Sequence, residues 1–137
     1  MELDINWLAV VVATIASMVV AGVWYQDFAF GLPWKRMTRI DAKRAEKAGN
    51  TPMFVVLIVN FFTATSLAAA IAITTTHFDN FSVWLALATG LVVWLAFSAS
   101  TLLTHNMFEQ KPLKLTSINN GYQLAMFIIM ALVIGLM

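Results

Sequence analysis

Cysteine is absent from this chain, which removes disulfides, thiolate nucleophiles and cysteine-ligated metals from its chemistry. Charge is nearly as scarce. Lys, Arg, Asp and Glu together make up 11% of the 137 residues, against about 25% in an ordinary soluble domain. The net charge of +1 gives no overall basic field, so nucleic acid is not an expected partner. What fills the chain is apolar, at 61% of residues. A soluble domain carries about 45–50%, so the composition is that of a membrane protein.

Four stretches hold no charge at all: residues 5–25, 52–76, 81–103 and 116–137. A helix needs about 20 residues to cross about 30 Å of hydrocarbon, and each stretch is long enough. Lipid offers no hydrogen-bond partner to an unpaired backbone group, so such a run must be helical whatever its β-branched content. The expected fold is therefore all-α, an integral membrane bundle of four transmembrane helices forming one domain over residues 1–137. The first span follows MELD and lacks the positive start of a cleavable signal peptide.

All eight Lys and Arg fall between spans one and two or between spans three and four. The positive-inside rule then puts both basic loops in the cytoplasm and both termini in the periplasm, in the inner membrane of a bacterial cell. In the longer loop, Pro33 suits the first turn of a helix and Gly49 its end, so PWKRMTRIDAKRAEKA is expected to form one short interfacial helix. Lys35, Arg39, Lys43 and Lys47 recur along it every fourth residue, with Arg36 and Arg44 beside them. These six bases are expected to meet anionic headgroups of membrane lipids, each contributing about 1 kcal/mol near the surface.

Small residues at intervals of four mark packing seams: Ala9, Ala13, Ser17 and Ala21 in span one, Ala64, Ala68 and Ala72 in span two, and Ala131 with Gly135 in span four. The seam on span one is expected to join a second copy or another membrane protein. No charge lies at the membrane midplane, so the carboxylate that a proton-coupled exporter needs is missing.

Polar residues gather instead at the ends that carry the basic loops. Trp24, Tyr25 and Asp27 close span one; His105, Asn106 and Glu109 close span three; Asn119, Asn120, Tyr122 and Gln123 open span four. Asp27, His105, Asn106, Glu109, Asn119, Asn120 and Tyr122 form a candidate polar cluster, and Trp24, Tyr25, Asn60 and Trp94 a candidate pocket. The run HNMFEQKPLKLTSINNGY that holds much of the cluster is too apolar for a free loop and is expected to fold back on the bundle. His105 and Glu109 are four residues apart and would share a helix face, yet a metal usually takes three or four protein ligands. No metal site and no cofactor are expected.

WYQDFAFGLPW, GLVVWLAFSASTLLTHNMFEQKPLKL and INNGY together resemble the small bacterial four-span membrane proteins of the family called domain of unknown function 1761. The likeness covers nearly the whole chain. Where members of that family often carry Ser-Pro after the Trp-Tyr pair, this chain has Gln26 and Asp27, and Gln110 stands where they often have Gly. The resemblance implies the same four-span fold and brings no activity, cofactor or catalytic residue with it.

Three functions fit such a chain: a non-catalytic protein that self-associates or serves as an accessory subunit, a small carrier or pore for a neutral or amphipathic solute, and a lipid-facing enzyme. The sequence holds no nucleophile with an adjacent base, no phosphate-cradling loop and no complete metal motif, which sets the enzyme last. A transport route needs a polar path between helices. An accessory subunit needs a dry bundle with an exposed seam.

Overall fold

A computed structural model describes residues 2–137, and among them every regular element is helical. The elements are α1 (Trp7–Trp24), α2 (Gly31–Thr38), α3 (Ala42–Ala48), α4 (Thr51–Phe78), α5 (Val83–Val93), a π-helical segment (Trp94–Ala99), α6 (Ser100–Phe108) and α7 (Leu113–Leu136). Four helices are long and apolar enough to cross a membrane: α1, α4, α7 and the continuous helix Val83–Phe108 built from α5, the π segment and α6.

The spans begin where side chains satisfy the free backbone donors of a first turn. Asn6 accepts from the Ala9 amide at 3.1 Å, and Ser82 accepts from the Leu85 amide at 3.3 Å. Pro52 sits in the first turn of α4, where a missing N–H costs nothing. The two ends of the chain meet, with Asn6 Nδ2 donating to the Met137 carbonyl at 3.4 Å, and both basic loops lie at the other end of the bundle.

The helices occupy four corners in the order α1, α4, α5, α7, with α7 also reaching α4 across the middle. Their contact layer holds Val10, Leu67 and Met130, all fully buried. Small residues let the backbones approach. A Cβ added at Gly90 would stand 2.8 Å from the Ala131 Cβ, and one at Gly135 would stand 2.7 Å from the Ala86 Cβ, so the Ala131/Gly135 seam is the contact between spans three and four.

Ala9, Ala13 and Ser17 are 0% exposed in the single chain. The expected seam for a second copy is thus filled from inside, because α4 and α7 both pack on α1. Ala21, the fourth residue of that seam, is half-buried.

Two stretches depart from the sequence expectation. The loop helix is not one helix but two, since Arg39 takes a left-handed conformation (φ 58°) and ends α2. Asp41 then caps α3, its Oδ1 accepting from the Arg44 amide at 2.8 Å. The break cuts the four-residue register, so Lys35 and Arg39 do not continue into a straight stripe with Lys43 and Lys47. The second departure is in HNMFEQKPLKLTSINNGY, which is not a loop folded back on the bundle but two helix ends joined by a short turn, with Asn106, Leu115 and Thr116 buried. Span three continues as helix to Phe108, α7 starts at Leu113, and the turn between them is Glu109 to Pro112 with Gln110 at φ 55°. Polar side chains near a helix end reach water, so the helix outlasts the uncharged stretch until Pro112 stops it.

Candidate functional site: a lateral cleft at the basic end

At the end carrying the basic loops the four spans do not close. Beyond α5 the third span turns away from α4, while α6 stays on α7. The gap is a cleft of about 720 Å³, walled by the last turn of α1, Trp34 of α2, the first turns of α4, Leu102 of α6, and Asn119, Tyr122 and Gln123 of α7. Its volume falls within the range of about 300–1,000 Å³ usual for small-molecule sites.

Polar groups line the inner side. The Tyr25 phenol donates to Asn119 Oδ1 at 2.8 Å, and the Tyr25 ring lies 5.4 Å from that of Tyr122 and 5.0 Å from that of Trp34. Deeper, the Asn60 amide donates to Ser17 Oγ at 3.0 Å and reaches Met18 Sδ at 3.6 Å, tying span two to span one. Asn60 is only 3% exposed, as expected of an amide whose donors must be met inside a bilayer. The Tyr122 hydroxyl faces Asn60 and Met126 Sδ, the latter at 3.8 Å. Gln123 takes the Ser98 hydroxyl from the π segment on its Oε1 at 3.4 Å.

A sharp turn after α1 sets the cleft wall. Gly31 folds against the carbonyl of Tyr25 and the backbone of Gln26, where any Cβ would collide. The Gly31 amide donates to the Gln26 carbonyl at 2.9 Å and the Phe30 amide to that of Trp24 at 3.0 Å. This turn brings Trp34 over Tyr25 and stacks Phe30 on Trp24 at 4.5 Å. Trp24 in turn donates through Nε1 to the Ile118 carbonyl at 3.1 Å and covers Gly121, where a Cβ would stand 2.9 Å from its ring.

The residues singled out from sequence therefore separate into three places. Tyr25, Asn60, Asn119 and Tyr122 meet in the cleft. Asn106 lies elsewhere, buried between α6 and α7 and donating to Thr116 Oγ1 at 3.0 Å. Asn120 and Trp94 line a second, shallower groove on the far side of α7, where Asn120 Oδ1 and Trp94 Nε1 are buried with no partner among the described residues. Trp24 is a packing residue under Gly121 and does not line the cleft.

His105, Glu109 and Asp27 stand outside these places, all exposed. Asp27 pairs with Lys35 at 2.8 Å and Glu109 with Lys111 at 2.6 Å. Lys111 holds the Glu109 carboxyl below the usual carboxylate range through that hydrogen bond and its charge. Arg36, Arg39, Lys43, Arg44 and Lys47 are exposed on α2, α3 and the bend between them. No three His, Cys, Asp or Glu side chains gather among the described residues.

The family model described as a protein of unknown function (DUF1761) matches residues 8–135. The chain belongs to this family. The match spans all four transmembrane helices and every wall of the cleft, so the cleft lies within the family's domain and not in an appendage to it. No curated protein and no solved structure matches the chain.

Sequence reasoning misses Trp34 as a wall of the cleft and Ser17 as the partner of Asn60. Trp34 carries no signal, because its approach depends on the turn at Gly31. Gln123 does carry one: it lies four residues after Asn119, hence on the same face of α7.

Proposed function

We propose that this chain is a non-catalytic membrane protein that binds a neutral amphipathic molecule in the lateral cleft. One observation carries the reading: a cavity of about 720 Å³ has phenol and amide groups on its inner side, apolar residues at its mouth, and no Asp, Glu, Lys, Arg or His in its lining. Amides and phenols bond a ligand at neutral pH without giving or taking protons. The mouth lies between spans two and three and is edged by Met53, Val56 and Leu102, so a lipid-soluble molecule enters from the bilayer side.

The cleft is a binding site and not an open pore. A second cavity of about 420 Å³ opens at the opposite end, around Asn6, Thr75 and Ser82. Asn60 and Ala68, the inner limits of the two along α4, are eight positions apart, or about 12 Å of helix. Buried Ala64, Leu67 and Met130 fill that interval with apolar atoms, and they leave no polar path.

The same reading places the protein in a bacterial inner membrane with both termini periplasmic, supported by the confinement of all eight bases to two loops at one end. Lys43, Arg44 and Lys47 with Arg36 and Arg39 then meet anionic headgroups at the cytoplasmic surface. An accessory role beside another membrane protein has its own support in a groove of about 460 Å³ between α4 and α5, lined by Ala70, Thr74, Ala88 and Thr89, since small residues admit a neighbouring helix.

Extraction of the chain with its native lipid, followed by mass spectrometry of what stays bound, tests the main reading. The wild type should retain one class of neutral amphiphile above its level in the surrounding membrane, and Val56→Trp, which fills the mouth, should lose it. Equal lipid profiles for the two proteins would remove the cleft as a binding site.

A further inference from the structure

Resting on the cleft as a binding site, we infer that its occupant has a flat, uncharged ring with two opposed carbonyl oxygens and an apolar tail, the chemistry of a quinone-type lipid. The side-chain oxygens of Asn119 and Gln123 are already engaged, by the Tyr25 phenol at 2.8 Å and by the Ser98 hydroxyl at 3.4 Å. An amide carries two N–H donors, and neither Asn119 Nδ2 nor Gln123 Nε2 has an acceptor among the described residues. What α7 presents to the cleft is therefore two NH₂ groups, four residues and about 6 Å apart along the helix. Donors in lipid call for acceptors, and a pair at this spacing calls for a molecule with an acceptor at each end of its head.

Shape and charge narrow the class further. Tyr25 is flanked by Trp34 at 5.0 Å and Tyr122 at 5.4 Å, so one side of the cleft is aromatic and offers ring faces and edges to a flat π-system. A glycerolipid ester has carbonyls but no ring to lay against that wall. An ionised head would sit in the cleft with no counter-charge in the lining, at a large desolvation cost. The tail leaves past Val56 and Leu102 into the bilayer.

Decylubiquinone titrated into the full-length protein in nanodiscs of neutral lipid tests the inference by quenching of tryptophan fluorescence, since Trp34 lines the cleft. Collision with quinone dissolved in the bilayer gives a linear, unsaturable background. Binding adds a saturable phase, which should weaken about three- to tenfold in Gln123→Leu, as expected for one lost hydrogen bond, and should survive an excess of dioleoylglycerol. Asn119→Leu should weaken it as well, while Val19→Leu on the lipid-facing side should leave it unchanged. A purely linear response from the wild type, or the same saturable phase in Gln123→Leu, would overturn the quinone assignment. If dioleoylglycerol abolishes the saturable phase, the ring requirement falls while the cleft stands as a binding site. If native extracts also show no retained amphiphile, the cleft reading falls with it.

Discussion

Tyr25, the residue that ends the first span, donates its phenol to Asn119 Oδ1 in the fourth span across 2.8 Å, joining residues 94 positions apart. The bond ties together two residues that line the cleft and engages the Asn119 side-chain oxygen, leaving its NH₂ group to bond elsewhere. Tyr25→Phe keeps the ring and removes the bond. Interhelical hydrogen bonds in membranes contribute about 0.5–1.5 kcal/mol, so unfolding in mixed sodium dodecyl sulfate and dodecyl maltoside micelles should show a loss of that size. An unchanged midpoint would mean that the phenol contributes nothing to holding span one.

Asn106 and Thr116 form a separate buried pair at 3.0 Å. Thr116→Val should cost about 1–3 kcal/mol, because it strands the amide of a residue that is 3% exposed. Asn106→Leu combined with Thr116→Val removes both polar groups and should be less damaging than Thr116→Val alone. The same micelle unfolding measures the cycle, and a double variant worse than either single change would contradict the pairing.

Much of this architecture can be read from residue types. Four uncharged runs longer than about 20 residues leave lipid-spanning helices as the remaining choice. Their ends are harder. Span three runs on through Thr104 and His105 because a helix leaving the membrane can keep its hydrogen bonds while its exposed polar side chains take water, Asn106 finds its partner in Thr116, and Pro112 rather than hydropathy sets the limit. The break at Arg39 has no glycine to announce it, although Asp41, three residues before Arg44, is a helix-start signal. The seam on α1 is plain in the sequence, but spacing of small residues is the same whether the facing backbone belongs to this chain or another.

The site is legible in part for a similar reason. Asn60, Asn119 and Tyr122 stand out as polar groups in apolar surroundings, which marks them for partners. Asn106, Asn120, His105 and Glu109 stand out equally, and only the rotation of each helix about its axis sends them to the α6–α7 contact, the far groove or water. A turn about Gly31 that brings Trp34 over Tyr25 leaves no periodic trace.

Gly90 tests the packing between spans three and four. A Cβ there meets the Ala131 Cβ at 2.8 Å and the Phe127 carbonyl oxygen at 3.3 Å, and neither atom can swing aside. Gly90→Val should destabilise by about 1–3 kcal/mol, the usual cost of overpacking. Val92→Leu, on an exposed face of the same helix, should be neutral within about 0.5 kcal/mol.

Orientation is testable without a background, because the chain has no cysteine of its own. Single cysteines at Glu2, Lys43, Asp79 and Lys114 should react with a membrane-impermeant maleimide on intact cells at the first and third positions. Labelling at Lys43 and Lys114 instead would invert the topology.

The cleft between spans two and three should hold a molecule drawn from the bilayer. Photocrosslinking in native membranes addresses it most directly, with p-benzoylphenylalanine placed at Leu102 inside the cleft or at Val19 on the lipid-facing surface of α1. Leu102 should capture one neutral amphiphile class far above its share of the membrane, while Val19 should capture lipids in proportion to their abundance. The same bulk lipid profile at both positions would contradict it.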